Sequence, residues 1–76
     1  FDKENFLNMA SELRSYLEDS DTYAITIYEK LQLLTGLEQY SAQLDKLELA
    51  INTYNFDEAI ELLDILRIMI EGKKND

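Results

Sequence analysis

The chain has 76 residues with no cysteine and no histidine, so it carries neither disulfide staples nor the usual zinc and nucleophile-base constellations. Sixteen acids against 7 bases give a net charge of -9, which sets nucleic acid aside as a partner, because a phosphate backbone would meet repulsion where a basic patch is needed. No proline, 2 glycines and 46% hydrophobic residues leave too little turn chemistry for a many-stranded sheet and point to an all-α protein.

A chain of this length is expected to be one domain that buries only ~60–65% of the surface its unfolded form exposes. Packed helices or self-association then have to supply the stability that covalent links do not. No apolar run approaches the ~20 residues that cross a bilayer, and no basic segment precedes an apolar one in the manner of a signal peptide. A cytoplasmic location without a membrane partner is the expectation. The start at Phe1, with no initiator methionine, suggests a segment excised from a longer multidomain signalling protein.

In the first segment Phe6, Met9, Ala10, Leu13, Tyr16 and Leu17 recur at three- and four-residue steps, which places them on one helical stripe. Asp2 is its expected cap, and Phe1 and Phe6 flank that cap at the spacing of a hydrophobic staple. The run Glu18-Asp19-Ser20-Asp21 ends the stripe near Glu18, with Ser20 or Asp21 as the cap of the next helix. From Thr22 a second stripe of Ala24, Ile27, Tyr28, Leu31 and Leu34 runs to Thr35-Gly36, where glycine suits a left-handed end.

A third stripe of Leu37, Tyr40, Leu44, Leu47, Ile51 and Tyr54 breaks at Asn55, with Ser41 as the cap of an alternative, later start than Leu37. At Tyr54-Asn55-Phe56-Asp57-Glu58 the sequence predicts a capping box, with Asn55 accepting from the next turn and Glu58 reaching back to the free N–H at the cap. The fourth helix carries Phe56, Ala59, Ile60, Leu63, Leu66 and Ile70. Leu62, Ile65 and Met69 widen its apolar arc, so it is expected to lie deepest. Gly72 ends it, and Lys73 and Lys74 then complement the helix dipole.

Four helices of about 14 to 18 residues, ~1.5 Å per residue, with connections of a few residues, predict a small antiparallel up-down helical bundle. No internal repeat stands out at a fixed period, although two helix-turn-helix units of roughly 35 residues keep a repeat-like reading open.

The acid pairs Glu18/Asp19, Asp57/Glu58 and Glu61/Asp64 are the remaining candidates for chemistry, and a catalytic pair would need one member desolvated in a cleft. They read as solvated faces and caps, so no catalytic, cofactor-binding or metal-binding residue is expected. Tyr16, Tyr28, Tyr40 and Tyr54 lie on the stripes of their helices and are expected at the rim of the core, whereas Tyr23, at a helix start, is expected to face outward. Leu33, Leu49 and Ile68 fall off the stripes. With Tyr23 they are the candidate partner interface or dimer seam. The competing expectation is that the bundle wraps the fourth helix on nearly all sides.

Two features connect the chain to a known family: an acid opening the second helix ahead of alanine, Asp21 and Ala24, and the join Tyr54-Asn55-Phe56-Asp57-Glu58-Ala59. The run from Leu13 to Leu66 that holds them resembles the C-terminal helical appendage of hybrid sensor kinases and response regulators, a domain similar to histidine phosphotransfer bundles. In those bundles an exposed histidine accepts phosphate from a receiver aspartate. The corresponding region here, Glu29-Lys30-Leu31-Gln32, has no histidine and no Leu-Lys-Gly turn. The resemblance thus implies the fold and a two-component phosphorelay context without the phosphoacceptor: a non-catalytic module that docks or dimerises beside receiver or kinase domains of the same chain. A second reading, from the similarity of NFDEAIELL to the start of a tetratricopeptide helix pair, is a helical scaffold with a concave groove for a peptide or protein. A third, a carboxylate-based metal or phosphate site built from the acid pairs, ranks last.

Overall fold

In a computed structural model, residues 2–34 and 36–72 are described. Among these residues four helices, α1 (Lys3–Glu18), α2 (Tyr23–Leu31), α3 (Ser41–Asn52) and α4 (Phe56–Gly72), follow one another, with a 3-10 turn at Glu38–Tyr40 before α3. Among the described residues there is no strand. The all-α bundle read from the apolar periodicity is the observed fold.

The start of α1 is set by Asp2, whose extended backbone (φ -94°, ψ 94°) lets its Oδ1 accept the Asn5 N–H at 3.0 Å. The proposed staple partner Phe1 lies outside the described residues, as do Lys73 and Lys74. Phe6, Ala10, Leu13 and Leu17 form the buried stripe of α1.

α1 ends in a Schellman turn. Ser20 adopts φ 54°, its N–H donates to Leu17 O at 3.0 Å, and the Asp21 N–H donates to Tyr16 O at 2.9 Å. The Asp21 carboxylate then accepts the Tyr23 N–H at 2.9 Å, opening α2. The end of α3 repeats this geometry: Tyr54 at φ 61° donates to Ile51 O at 3.1 Å, and Asn55 donates to Ala50 O at 2.8 Å. The expected capping box at Asn55 is therefore altered. Its backbone N–H already belongs to Ala50, so Glu58 Oε1 accepts from Asn55 Nδ2 instead, at 2.6 Å.

α2 and α3 are shorter than the periodicity suggests. The stripe of α2 would continue to Leu34, but the chain leaves the helix at Leu31 and tightens into three-residue turns, Leu33 N–H to Lys30 O and Leu34 N–H to Leu31 O. Gly36 at φ 89° and the 3-10 turn then carry Leu37 and Tyr40 back into the interior, 3% and 6% exposed. Burying those two side chains requires the break. α3 consequently begins later than Leu37, at Ser41, but Ser41 is its first helical residue and not its cap; Tyr40 holds the cap position, with no side-chain cap bond.

α1 packs against α2 and α4, and α3 packs against α4, while α2 and α3 touch less extensively, so the four helices close a ring. Each contributes one buried alanine, Ala10, Ala24, Ala50 and Ala59, small enough for neighbouring axes to approach. The larger buried side chains include Leu13, Leu31, Leu47, Ile51, Leu63 and Leu66, each fully enclosed, and among the described residues no charged or amide side chain is buried with them. Each such leucine or isoleucine contributes ~1.5–3 kcal/mol. The radius of gyration, 11.5 Å, matches the ~11 Å of a close-packed domain of this length. Among the described residues no helix is long and apolar enough to cross a membrane.

Ser20 holds a left-handed backbone that costs an L-residue ~1–2 kcal/mol, partly offset by the extra unfolded-state freedom of glycine. Ser20→Gly is expected to stabilise the bundle by about 0.5–1 kcal/mol, raising the thermal midpoint by a few degrees in circular dichroism. A lowered midpoint would contradict the turn assigned to the α1–α2 junction.

Candidate functional site

All four residues picked from the sequence as interface candidates are exposed: Tyr23 44%, Leu33 78%, Leu49 65% and Ile68 66%. They do not form one patch. Tyr23 sits at the end of the bundle that holds both Schellman turns, its ring edge-on to Tyr16 with centroids 5.1 Å apart. Leu33 lies beyond the opposite end of α2, in the connection to α3.

Leu49 and Ile68 each point away from the core. On a helix of 3.6 residues per turn, Ile68 falls opposite the stripe Phe56, Ala59, Leu63, Leu66 and Ile70, and Leu49 falls opposite Leu47, Ala50 and Ile51. The side of α4 that faces α1 is fixed by ion pairs: Arg14 bridges Glu18 at 3.2 Å and Asp64 at 3.6 Å, and Arg67 approaches Asp64 at 3.8 Å. Leu62, Ile65 and Met69 therefore occupy the flank towards α3, with Leu62 and Met69 half-buried and Ile65 half-exposed. The outer α3/α4 surface thus exposes Leu49, Ile65 and Ile68, while Leu62 and Met69 pack partly against the core. α4 is not wrapped on all sides, because a ring of four helices leaves every member one outward face.

Tyr54, expected at the rim of the core, is 64% exposed. The left-handed backbone at the α3–α4 turn swings it off the stripe, and its ring meets Phe56 edge-on at 6.0 Å. With Ser20, Thr22 and Asn55 through Asp57 it borders a shallow depression at that end of the bundle. The position of Tyr54 directly before Asn55 was the available signal, since the residue preceding the cap of α4 has to turn the chain.

A groove runs along the seam between α2 and α3, with a volume of about 200 Å³. Tyr28, Leu34, Leu37 and Leu44 supply its apolar lining, and Glu38, Asp45 and Glu48 supply carboxylates. Across this seam the Tyr28 hydroxyl donates to Leu44 O at 3.0 Å. Burial, with the nearby charges of Glu48 and Asp45, pushes the Tyr28 hydroxyl up from 10 to about 12. The periodicity of the third stripe does not announce this groove, because it arises from the shortness of α2.

The acid pairs lie at the surface, and Asp64 is engaged by two arginines. Among the described residues no three acids, histidines or cysteines converge as metal ligands. No protein-family model, no curated protein and no solved structure matches the chain.

Leu63→Ala, at a fully enclosed site, is expected to cost 2–5 kcal/mol, enough to unfold much of a domain this small, whereas Ile68→Lys and Leu49→Lys should stay within about 0.5 kcal/mol of the parent in urea titrations. The Tyr28 shift has a definite sign. The folded chain keeps its proton to about pH 12 while the unfolded chain loses it near pH 10, so this contribution is complete below pH 10 and is lost as pH rises towards 12. Stability should fall by up to ~1.4 kcal/mol per pH unit in that window through this group, and Tyr28→Phe should flatten the decline. An unchanged alkaline slope in that variant would refute the assignment.

Proposed function

We propose that the chain is a non-catalytic interaction module of two-component signalling, a phosphotransfer-like bundle without the phosphoacceptor histidine, which docks or dimerises beside receiver or kinase domains through its outer α3/α4 face. The observation that supports this reading is the exposure of Leu49, Ile65 and Ile68 on the outward sides of α3 and α4. A compact monomer gains nothing by exposing such side chains, whereas a partner surface gains their burial. The closed helical ring also accords with the bundle of that family, and the lack of histidine argues for a role in binding without relay of phosphate through this chain.

A tetratricopeptide-like scaffold draws support from the matching turns at Ser20 and Tyr54, which make α1–α2 and α3–α4 similar hairpins. The packing of α1 on α4 favours the other reading, because an open stack of repeats separates its first and last helices and a closed ring brings them together.

Sedimentation over a wide concentration range, alone and mixed with the receiver domain of the parent chain, tests the proposal. The expected result is a concentration-dependent dimer or a receiver complex that Leu49→Lys or Ile68→Lys abolishes while helicity is kept. A strict monomer that binds no receiver and is indifferent to both substitutions would remove the basis of the assignment.

A further inference from the structure

The ring is closed unevenly. α2 has 9 residues against 16 in α1 and 12 in α3, so it covers α3 over only part of its length, and the α2/α3 junction is the least extensive of the four contacts. The gap is the groove lined by Tyr28, Leu34, Leu37 and Leu44, with Glu38, Asp45 and Glu48 among its walls. The ion pairs of the described residues are those joining Arg14 and Arg67 to Glu18 and Asp64, on the α1/α4 side. No cation of the described chain pairs with the three groove carboxylates.

We propose that this seam is a docking groove for a basic amphipathic peptide segment of a partner protein, which would seat aliphatic side chains against Leu34, Leu37 and Leu44 and place lysine or arginine heads among Glu38, Asp45 and Glu48. Charge complementarity selects this occupant. A second copy would bring its own carboxylates against these in a chain of net charge -9, and a nucleic acid would be repelled outright. The apolar lining gives an aliphatic side chain something to bury, which a free metal ion or a small polar cation would not use. The helix-in-groove mode of recognition has the same two ingredients, apolar anchors and flanking opposite charge. The raised pKa of Tyr28, due first to burial of its hydroxyl and then to the charges of Glu48 and Asp45, agrees with this geometry. This surface is separate from the outer α3/α4 face, and the two proposals stand or fall independently.

The probe is a synthetic amphipathic helix of about 14 leucines and lysines, long enough to span some 20 Å. It is titrated into the whole chain at low salt and followed by amide chemical shifts, with its leucine-glutamate counterpart as control. The expected shifts cluster on Tyr28, Leu34, Leu37 and Leu44 through Glu48, and the glutamate peptide does not bind. Asp45→Asn with Glu48→Gln should weaken binding about fivefold or more, while Glu4→Gln with Glu12→Gln on α1, which removes the same net charge, should leave it within about twofold. No binding at millimolar peptide, equal weakening by both double variants, or shifts centred on Leu49 and Ile68 would each overturn the proposal. The last of these outcomes would do so without touching the α3/α4 reading.

Discussion

Apolar burial has to stabilise this chain almost alone, and in helices of 9 to 17 residues it is available only along one stripe of each. A single hairpin would cover each stripe from one side. The contact between α1 and α4 changes this, because it joins the two hairpins so that Phe6, Leu13, Leu31, Leu47, Leu63 and Leu66 share one interior. With no charged or amide side chain buried among the described residues, that interior has little hydrogen bonding to fix its register. Register falls to the turns and to a few polar ties at the helix seams, the exposed Arg14–Asp64 pair on one and the part-buried Tyr28–Leu44 hydrogen bond on another. The exposed pair contributes little, so the tyrosine tie, with its donor desolvated, carries more of the specification.

The two reversals show what a sequence with few glycines can do. Both Schellman turns place an ordinary residue, serine or tyrosine, in the left-handed region where glycine is usual. The strain persists because each turn satisfies two carbonyls at the end of one helix and leads straight into the start of the next. Asp21 and Asn55 serve twice, closing the preceding turn through their N–H groups and supporting the following helix through their side chains. Such double use keeps the connections short and the neighbouring helices antiparallel.

Much of the fold was legible in residue spacing. The stripes of α1 and α4 and the cap at Asp2 appear where periodicity places them, because each is a local pattern with a local cause. The ends of α2 and α3 were not legible. Leu34 continues the stripe of α2 by spacing, yet the burial of Leu37 and Tyr40 ends the helix three residues earlier, and that demand comes from tertiary packing. Exposure followed the same division. Leu49 and Ile68 could be read as outward because each stands opposite a stripe of its own helix, whereas Tyr54 was misread, its direction being set by a left-handed backbone angle that spacing does not encode.

The shortness of α2 links the packing to the surfaces. A second helix as long as the first would cover α3 along its length, fill the seam beside Tyr28 and complete a more symmetric ring. Breaking at Leu31 instead brings Leu37 and Tyr40 inside while leaving Leu34, Leu44 and three carboxylates around an open groove. The outer α3/α4 face has a different origin, the surplus of apolar residues on α4 beyond the stripe its neighbours can cover. One surface is thus a deficit of helix and the other an excess of hydrophobic side chains. Their electrostatic settings differ accordingly: the groove holds three carboxylates without a partner cation among the described residues, whereas α4 meets α1 through a network in which both arginines are already engaged. A chain built this way can present an apolar face and a charged groove at once, because the groove adjoins α2 and the outer face lies across α3 on the side of α4.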